Sequence, residues 1–544
     1  MASLPEEAIL DPRLSLRGEG KLIPDRLGSV NRMPVLTLDQ LRPHAAPAAS
    51  EAGPGTVTSH GLTGFVLLAA LAVWAAALLL QPDRMAMLLV AVPGMYGLIA
   101  MWRHSWAGLH FARAAIYLRL VFPRMAARVR AEGRGLRVPH VGVVVTSYNI
   151  QQAHFRAVYS ALFADLAAYG APATVIAAIT TDRDRMLLDE VLACFTFPAG
   201  IEIIVQFQRG DGKRSALGMA LRCLARRELP RGSVTMLLDG DVVIERGALE
   251  KCLPFFLADP ALGALTTNNA AVTEGDELAA SWYSLRYAQR HVLMSSLSLS
   301  KRLLVLTGRF SLYRNEEVVR PEFIDLIEND GTSDWLHGRF RFLTGDDKSA
   351  WYALLRRKAK MLYIPDVKAV GFEALPAGCG FVSGSTRLMH RWLGNMLRSN
   401  SRALRLGPGV CGAFTWLCIL DQRLTMWTAL IGPVLALILS LTVSPVIFLY
   451  YLAWVVLSRL VMAGLNGLAW GRFHPLWPFL LAYDQIWGAL LKTYLQFRLN
   501  RQNWTRQGIV TGGSDTMAAN LAAGGLHLLA LAGLFCAVWL MAAR

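Results

Sequence analysis

Met236-Leu237-Leu238-Asp239-Gly240-Asp241 decides how this chain is read. Its apolar start reads as a buried strand, and two carboxylates one residue apart stand where that strand leaves a sheet. On an open α/β sheet, ligands collect at the carboxyl ends of the strands. Two carboxylates there, separated by a glycine that lets backbone come close, suit an oxygen-seeking divalent cation carrying a diphosphate. A plain strand followed by an Asp-Gly turn fits the six residues equally well. The rest of the chain has to choose.

Around this stretch, residues 138–380 alternate strand-like and helix-like runs. Val141–Val145, Ala173–Ile179, Ile201–Gln206, Val234–Leu238 and Leu262–Thr266 have strand character. Phe155–Tyr169, Met186–Phe195 and Ser215–Arg227 suit helices. The alternation predicts an α/β domain with a mostly parallel sheet.

Outside that domain the chain is greasy and basic. Of 544 residues, 54% are hydrophobic and 17% charged, with a net charge of +16, and the mean hydropathy is +0.37. That is too apolar for a purely soluble enzyme. The Arg and Lys residues track the edges of apolar segments, as cytoplasmic loops of membrane proteins do, and form no single stripe for nucleic acid. The seven cysteines show neither CxxC pairs nor zinc spacing, so reduced thiols are expected.

The expected order is a polytopic membrane protein with the α/β domain set between its transmembrane helices. Residues 1–60 carry no signal-peptide pattern and read as a disordered or loosely attached cytoplasmic arm. Residues 61–102 form a transmembrane hairpin, with Leu62–Leu80 first, a turn at Gln81-Pro82-Asp83-Arg84, and Met85–Trp102 returning. Residues 103–137 make a basic interfacial helix whose arginines put the next domain on the cytoplasmic side. Residues 381–424 hold amphipathic interface helices, and 425–544 form a C-terminal transmembrane region with a basic loop at 496–508. Pro475–Leu491 is apolar but contains Asp484, and it is either re-entrant or crossing.

Several short stretches carry chemistry, each with a bland alternative. Thr146-Ser147-Tyr148-Asn149 puts hydroxyls and an amide at a strand end, where they suit a nucleotide or serve as a turn. Arg209-Gly210-Asp211-Gly212-Lys213-Arg214 precedes a helix and suits a diphosphate or a solvated loop; it lacks the Walker A spacing. Leu306–Arg314 contains Thr307-Gly308-Arg309, which would bring backbone near a sugar and Arg309 near phosphate. Thr344-Gly345-Asp346-Asp347-Lys348 offers a general base for a sugar hydroxyl, or a helix start with Asp346 or Asp347 as N-cap. His390-Arg391-Trp392 offers a ring platform for a pyranose, or an interfacial anchor.

Singly weak, these stretches in this order resemble a processive family 2 glycosyltransferase, the group of bacterial cellulose and hyaluronan synthases. The resemblance spans roughly residues 60–510 and is closest to the alginate polymerase (mannuronan synthase) branch. Stretches such as Leu285–His291, Leu343–Ser349, Arg391–Asn395, Asn400–Leu404 and Asp421-Gln422-Arg423 carry it.

The resemblance implies a GT-A catalytic domain and inverting transfer of mannuronate from GDP-mannuronate to a growing β-1,4 polysaccharide, coupled to export through a bacterial inner membrane. It implies Asp239 and Asp241 as ligands of Mg²⁺ or Mn²⁺, and Asp347, beside Asp346, as the base. Ser147, Tyr148, Asn149, Lys213, Arg214, Asp239 and Arg309 fall to the nucleotide sugar. Arg391, Trp392 and His390 fall to the diphosphate and acceptor. The acidic residue that reads the base has no clear match, and Asp182 is the candidate. Leu388 stands where the general Gln-x-x-Arg-Trp motif has glutamine. No stretch resembles a PilZ domain, so control by cyclic-di-GMP would need a partner subunit carrying one. The rivals are a synthase of another exopolysaccharide, a non-processive family 2 transferase, and a transporter with a regulatory α/β domain. Paired carboxylates outside the spans disfavour the last.

Overall fold

The computed structural model describes residues 59–79, 95–209, 211–273, 276–503, 510–511 and 516–542. The 1–60 arm, apart from its last two residues, the 81–84 turn, residues 85–94 of the expected returning span, Gly210 and residues 504–508 of the 496–508 basic loop lie outside the described residues.

Apolar runs bounded by turn residues become an eight-stranded mixed sheet. Its strands are β1 (Val141–Thr146), β2 (Ala173–Ile179), β3 (Ile201–Phe207), β4 (Val234–Asp239), β5 (Val242–Ile244), β6 (Leu262–Thr273) and β7 (Phe310–Arg314). A separate hairpin supplies β8 (Gly331–Asp334) and β9 (Gly338–Arg341), and β10 (Lys360–Glu373) returns to the main sheet. The order is β3-β2-β1-β4-β7-β6-β10-β5. β1 to β4 pair in parallel, whereas β7 runs antiparallel to both β4 and β6, and β5 antiparallel to β10. This is the GT-A kind of sheet that the sequence led us to expect.

Three strands of the main sheet, β5, β7 and β10, and the β8–β9 hairpin were not anticipated. The stretch read as a small-residue turn at Leu306–Arg314 contains β7, whose residues 310–313 are buried. β10 hides because Pro365 and Asp366 break its alternation. The strand takes them up as an irregularity between Ile364 and Lys368, where its register against β6 shifts.

Among the described residues, Ala413–Thr442, Val446–Trp470 and Met517–Ala542 are long and apolar enough to cross a membrane. The first begins well before the expected 425 boundary. The expected first span is a helix, Ser59–Leu79, whose described apolar part runs Val66–Leu78. The helix Met95–Ile116 runs through the expected boundary at 102 and continues as a π turn at Tyr117–Val121 into Phe122–Glu132. The ambiguous 475–491 segment is a helix, Trp477–Gln496, packed against the Phe381–Arg405 and Val446–Trp470 helices. Its Asp484 accepts the Trp282 indole N–H at 2.9 Å, so protein meets this charge. All seven cysteines are free thiols.

Candidate active site

The sheet places its chemistry at one point. β1 pairs with β2 on one side and β4 on the other, with Thr146 opposite Asp239. That reversal of strand order is the topological switch point, where open α/β sheets leave a crevice. Gly240 donates its N–H to the Thr146 carbonyl at 2.9 Å. A Cβ on Gly240 would stand 2.4 Å from Ser147 Oγ and 2.8 Å from the Thr146 oxygen. The glycine between the two carboxylates is therefore there because the end of β1 passes against it. Gly240→Ala is expected to destabilise the chain by roughly 1–3 kcal/mol through overpacking, and to lower activity with it. A thermal melt of the solubilised protein beside an activity assay checks this.

A cavity of about 700 Å³ opens at this end of the sheet. Asp239, Asp241, Asp346 and Asp347 all line it. Lys213, first residue of the helix Lys213–Ala225, lies 2.6 Å from Asp239 Oδ1 and 3.0 Å from Asp346 Oδ2. Gly308 packs beneath this ammonium, with only 3.0 Å between a would-be Cβ and Lys213 Nζ. The Thr-Gly-Arg turn thus closes on the Lys213 cluster as a glycine must.

Asp346 and Asp347 open the helix Asp346–Arg356, but neither is its N-cap. Gly345 holds that position in the left-handed region, φ 87°, and abuts Asn395 of the Phe381–Arg405 helix. Thr344 Oγ1 donates to Asn395 Oδ1 at 2.7 Å. Buried Asp330 accepts both guanidinium N–H groups of Arg402, at 2.6 and 3.0 Å, and also the Ser349 hydroxyl. The turn bearing the two acids is thereby tied to the amphipathic helix through polar contacts that both ends need.

The two acids differ. Burial pushes the Asp346 carboxyl up, but Lys213 and Arg214 overcome it and hold it below the usual range. Burial, and then the neighbouring Asp346 charge, raise Asp347. Burial lowers the Lys213 ammonium, yet Asp239 and Asp346 outweigh that and keep it charged. Burial raises Asp239 to about 6, with Asp241 and Asp346 adding to the rise against Lys213. Two carboxyls whose environments push them apart in this way are suited to separate tasks.

Asp239 and Asp346 share the Lys213 ammonium, and Asp241 lines the same cavity, so hard oxygen donors gather at the end of β4. That donor set fits a divalent cation. Among the described residues no group of three or more His, Cys, Asp or Glu makes a closed cage. An ion held by one or two carboxylates would complete its shell with diphosphate oxygens.

At the other end of the cavity Trp392 and Arg391 contribute to the lining. Trp392 stacks on Trp282, with centroids 5.7 Å apart, and the Arg286 guanidinium lies 4.6 Å from the Trp392 centroid. Arg309 pairs with Glu373 and lies 4.8 Å from the Tyr287 ring.

Not every expected residue reaches the cavity. Ser147 and Tyr148 line it, but Asn149 is exposed with φ 49° and turns away. Arg214 is buried and donates to the Ile327 carbonyl at 2.7 Å, and to the Thr344 carbonyl and Ser349 hydroxyl at 3.0 Å each. Successive residues of a helix point about 100° apart, so Lys213 and Arg214 cannot face one site. The same geometry takes His390, half-buried and outside the lining, off the face that carries Arg391. Asp182 is exposed on the first turn of its helix, also outside the lining.

The structure adds residues that sequence reading passed over. Tyr283, Arg286, Tyr287 and Arg290, at helical spacing on the helix Glu277–Ser298, all line the cavity. Their i, i+3, i+4, i+7 spacing was the available signal; polar and aromatic types disguised it as an ordinary amphipathic face.

Residues 139–395 match the model of a family described as glycosyltransferase like family 2. A glycosyltransferase alg8 from Pseudomonas syringae pv. tomato is 38% identical over 413 residues, covering 76% of this chain and 84% of the relative. A glycosyltransferase alg8 from Azotobacter vinelandii has the same identity and coverage. Among solved structures, a Pyrobaculum calidifontis mannosyltransferase in complex with GDP-Man and Mn²⁺ is 16% identical with a TM-score of 0.39. That match covers 71% of this chain and 97% of the other.

Proposed function

Because the chain belongs to the family of the alg8 glycosyltransferases, we propose that it polymerises GDP-mannuronate into β-1,4-polymannuronate, the alginate precursor, at a bacterial inner membrane. The observation that carries this reading is the convergence of Asp239, Asp241, Lys213, Asp346 and Asp347 in one cavity that also reaches Trp392.

Asp239 and Asp241 would hold Mg²⁺ or Mn²⁺ on the donor diphosphate, and the bound ion supplies neutralising charge to the departing GDP. Lys213 brings a second positive charge to the same end of β4, held there by Asp239 and Asp346. Ser147 and Tyr148, past the end of β1, face the nucleotide. Trp392 gives the acceptor sugar a ring to lie on, and Arg391 stands beside it. Asp347 takes the proton from the acceptor hydroxyl as that oxygen attacks the anomeric carbon from the side opposite GDP, which inverts the centre. Its raised pKa suits a base better than the low pKa of Asp346, whose charge holds Lys213.

The same domain would face the cytoplasm, where nucleotide sugars are made, and the C-terminal spans would carry the product outward. Regulation by cyclic-di-GMP would come through a separate PilZ-bearing subunit, since nothing in this chain resembles that domain.

Inverted membrane vesicles holding the chain and its partner subunit test the reading. They are fed radiolabelled GDP-mannuronate, GDP-mannose or UDP-sugars, with Mg²⁺ or Mn²⁺. High-molecular-weight product is expected from GDP-mannuronate alone. Polymer from another donor would keep the transferase and overturn the alginate assignment.

A further inference from the structure

Most cations lining the cavity are already matched. Lys213 has Asp239 and Asp346, Arg309 has Glu373, and Arg286 lies 3.7 Å from Asp484 between two indole rings. Arg290 differs. It lines the cavity one turn beyond Arg286 on the Glu277–Ser298 helix, yet among the described residues it makes no hydrogen bond or ion pair. Its guanidinium nitrogens are not sealed in protein and so open on the cavity. Lys348 lines the same cavity within reach of the Arg290 charge; its ammonium donates to the Leu304 carbonyl at 2.6 Å and has further N–H donors to offer. Leu293, Met294, Leu304 and Val305 line the same cavity. The recess is apolar-walled, holds two cations, and lies beside Asp347.

Such an arrangement is costly without an anion. Burial, opposed by Asp347 and aided by the Arg290 charge, lowers Lys348 to about 8. Burial likewise lowers Arg290, with Arg286 adding to the fall and the Asp347 charge only partly offsetting it. A planar anion placed between a guanidinium fork and an ammonium would relieve both. The donor diphosphate already has Lys213 and the Asp239–Asp241 end of β4. What needs a separate cationic pocket near the reacting hydroxyl is a carboxylate on the sugar.

We propose that Arg290, assisted by Lys348, forms the subsite that recognises the carboxylate of a uronate sugar and so sets the chain's preference for uronates over neutral hexoses. This rests on the polymannuronate reading above. The carboxylate belongs either to the donor sugar or to the terminal acceptor sugar, since both meet next to Asp347.

The test uses the full-length, detergent-solubilised chain as wild type, Arg290→Gln, Arg290→Lys and Lys348→Gln. In the donor arm, binding of GDP, GDP-mannose and GDP-mannuronate is measured in the presence of Mn²⁺. In the acceptor arm, the apparent KM is measured for oligomannuronate and for a neutral oligomannose. A donor subsite predicts that Arg290→Gln weakens GDP-mannuronate by roughly ten- to a hundredfold, with GDP and GDP-mannose unchanged. An acceptor subsite predicts a similar rise in the oligomannuronate KM alone. Arg290→Lys is expected to keep most of the preference, and Lys348→Gln to lose part of it. If Arg290→Gln keeps the wild-type preference in both arms, or weakens GDP itself equally, the assignment is overturned. If wild type prefers no uronate in either arm, the polymannuronate reading falls, and this subsite with it.

Discussion

Asp347→Asn in the full-length chain is expected to lower polymer synthesis about a hundred- to ten-thousandfold, the usual worth of a positioned general base, while the protein stays folded. The substitution keeps the shape and keeps an oxygen for the Lys348 backbone N–H, which Asp347 Oδ1 now accepts at 2.8 Å. What it removes is the capacity to take a proton. The two signs that follow are opposite, and together they identify the role. Burial, and then the Asp346 charge, place the Asp347 pKa above that of an ordinary aspartate. The wild-type rate should therefore fall as pH drops through that raised value, earlier than an exposed carboxylate would allow. The folded-state pKa is raised, so Asp347 supports the fold only at low pH. That support is lost as pH rises through the raised value, when the buried group ionises. Above it, Asp347→Asn should melt no lower than wild type. Polymer yield from inverted vesicles and thermal melts across pH check both. Synthesis that survives the substitution would mean another group is the base.

Asp241→Asn is expected to cut synthesis by about a thousandfold, as loss of a metal ligand worth several kcal/mol does. Added Mn²⁺ should recover part of the loss. Asp241 contributes to the fold through its backbone, since its carbonyl accepts the Phe372 N–H at 3.1 Å. Asparagine leaves that bond intact, so the loss would reflect the side chain. Wild-type vesicles stripped with a chelator should lose activity and regain it on addition of Mg²⁺ or Mn²⁺. Activity that persists through chelation would overturn the metal role of Asp239 and Asp241. A variant as inactive as expected but indifferent to Mn²⁺ would move Asp241 from metal ligand to another role.

Both variants act on one cavity, yet the residues that shape it come from distant parts of the chain. Asp239 and Asp346 stand more than a hundred residues apart in the sequence, and the Lys213 ammonium joins them. The Phe381–Arg405 helix couples this cluster to the spans. Asn395 abuts Gly345, and Arg402 clasps Asp330, which in turn accepts the Ser349 hydroxyl of the helix that Asp346 and Asp347 open. The turn bearing Asp346 and Asp347 and the amphipathic helix are thus held as one unit through buried polar contacts.

The sequence by itself determined the elements whose chemistry is local. Apolar runs ending in Asp, Ser or Gly became β1 and β4, because burial on both faces of a parallel strand needs an unbroken apolar run. Gly240 and Gly308 read as glycines that let a ligand come near the backbone, whereas in the structure they make room for protein, since a Cβ at either would press on Ser147 or Lys213. Long apolar stretches became candidate spans, because their length alone meets the thickness of a bilayer. Tertiary structure decided what depends on direction and on distant neighbours. It sent Lys213 into the cavity and Arg214 into the protein, since consecutive helical residues diverge. It let β10 absorb Pro365 through a register shift. It separated Asp346 from Asp347 electrically, because Lys213 and Arg214 reach one and not the other to the same extent. It also left Arg290 without a hydrogen bond or ion pair among the described residues, which only the surrounding side chains could establish. Adjacent residues share a sequence position but seldom a direction, and their charges answer to whatever the fold brings beside them.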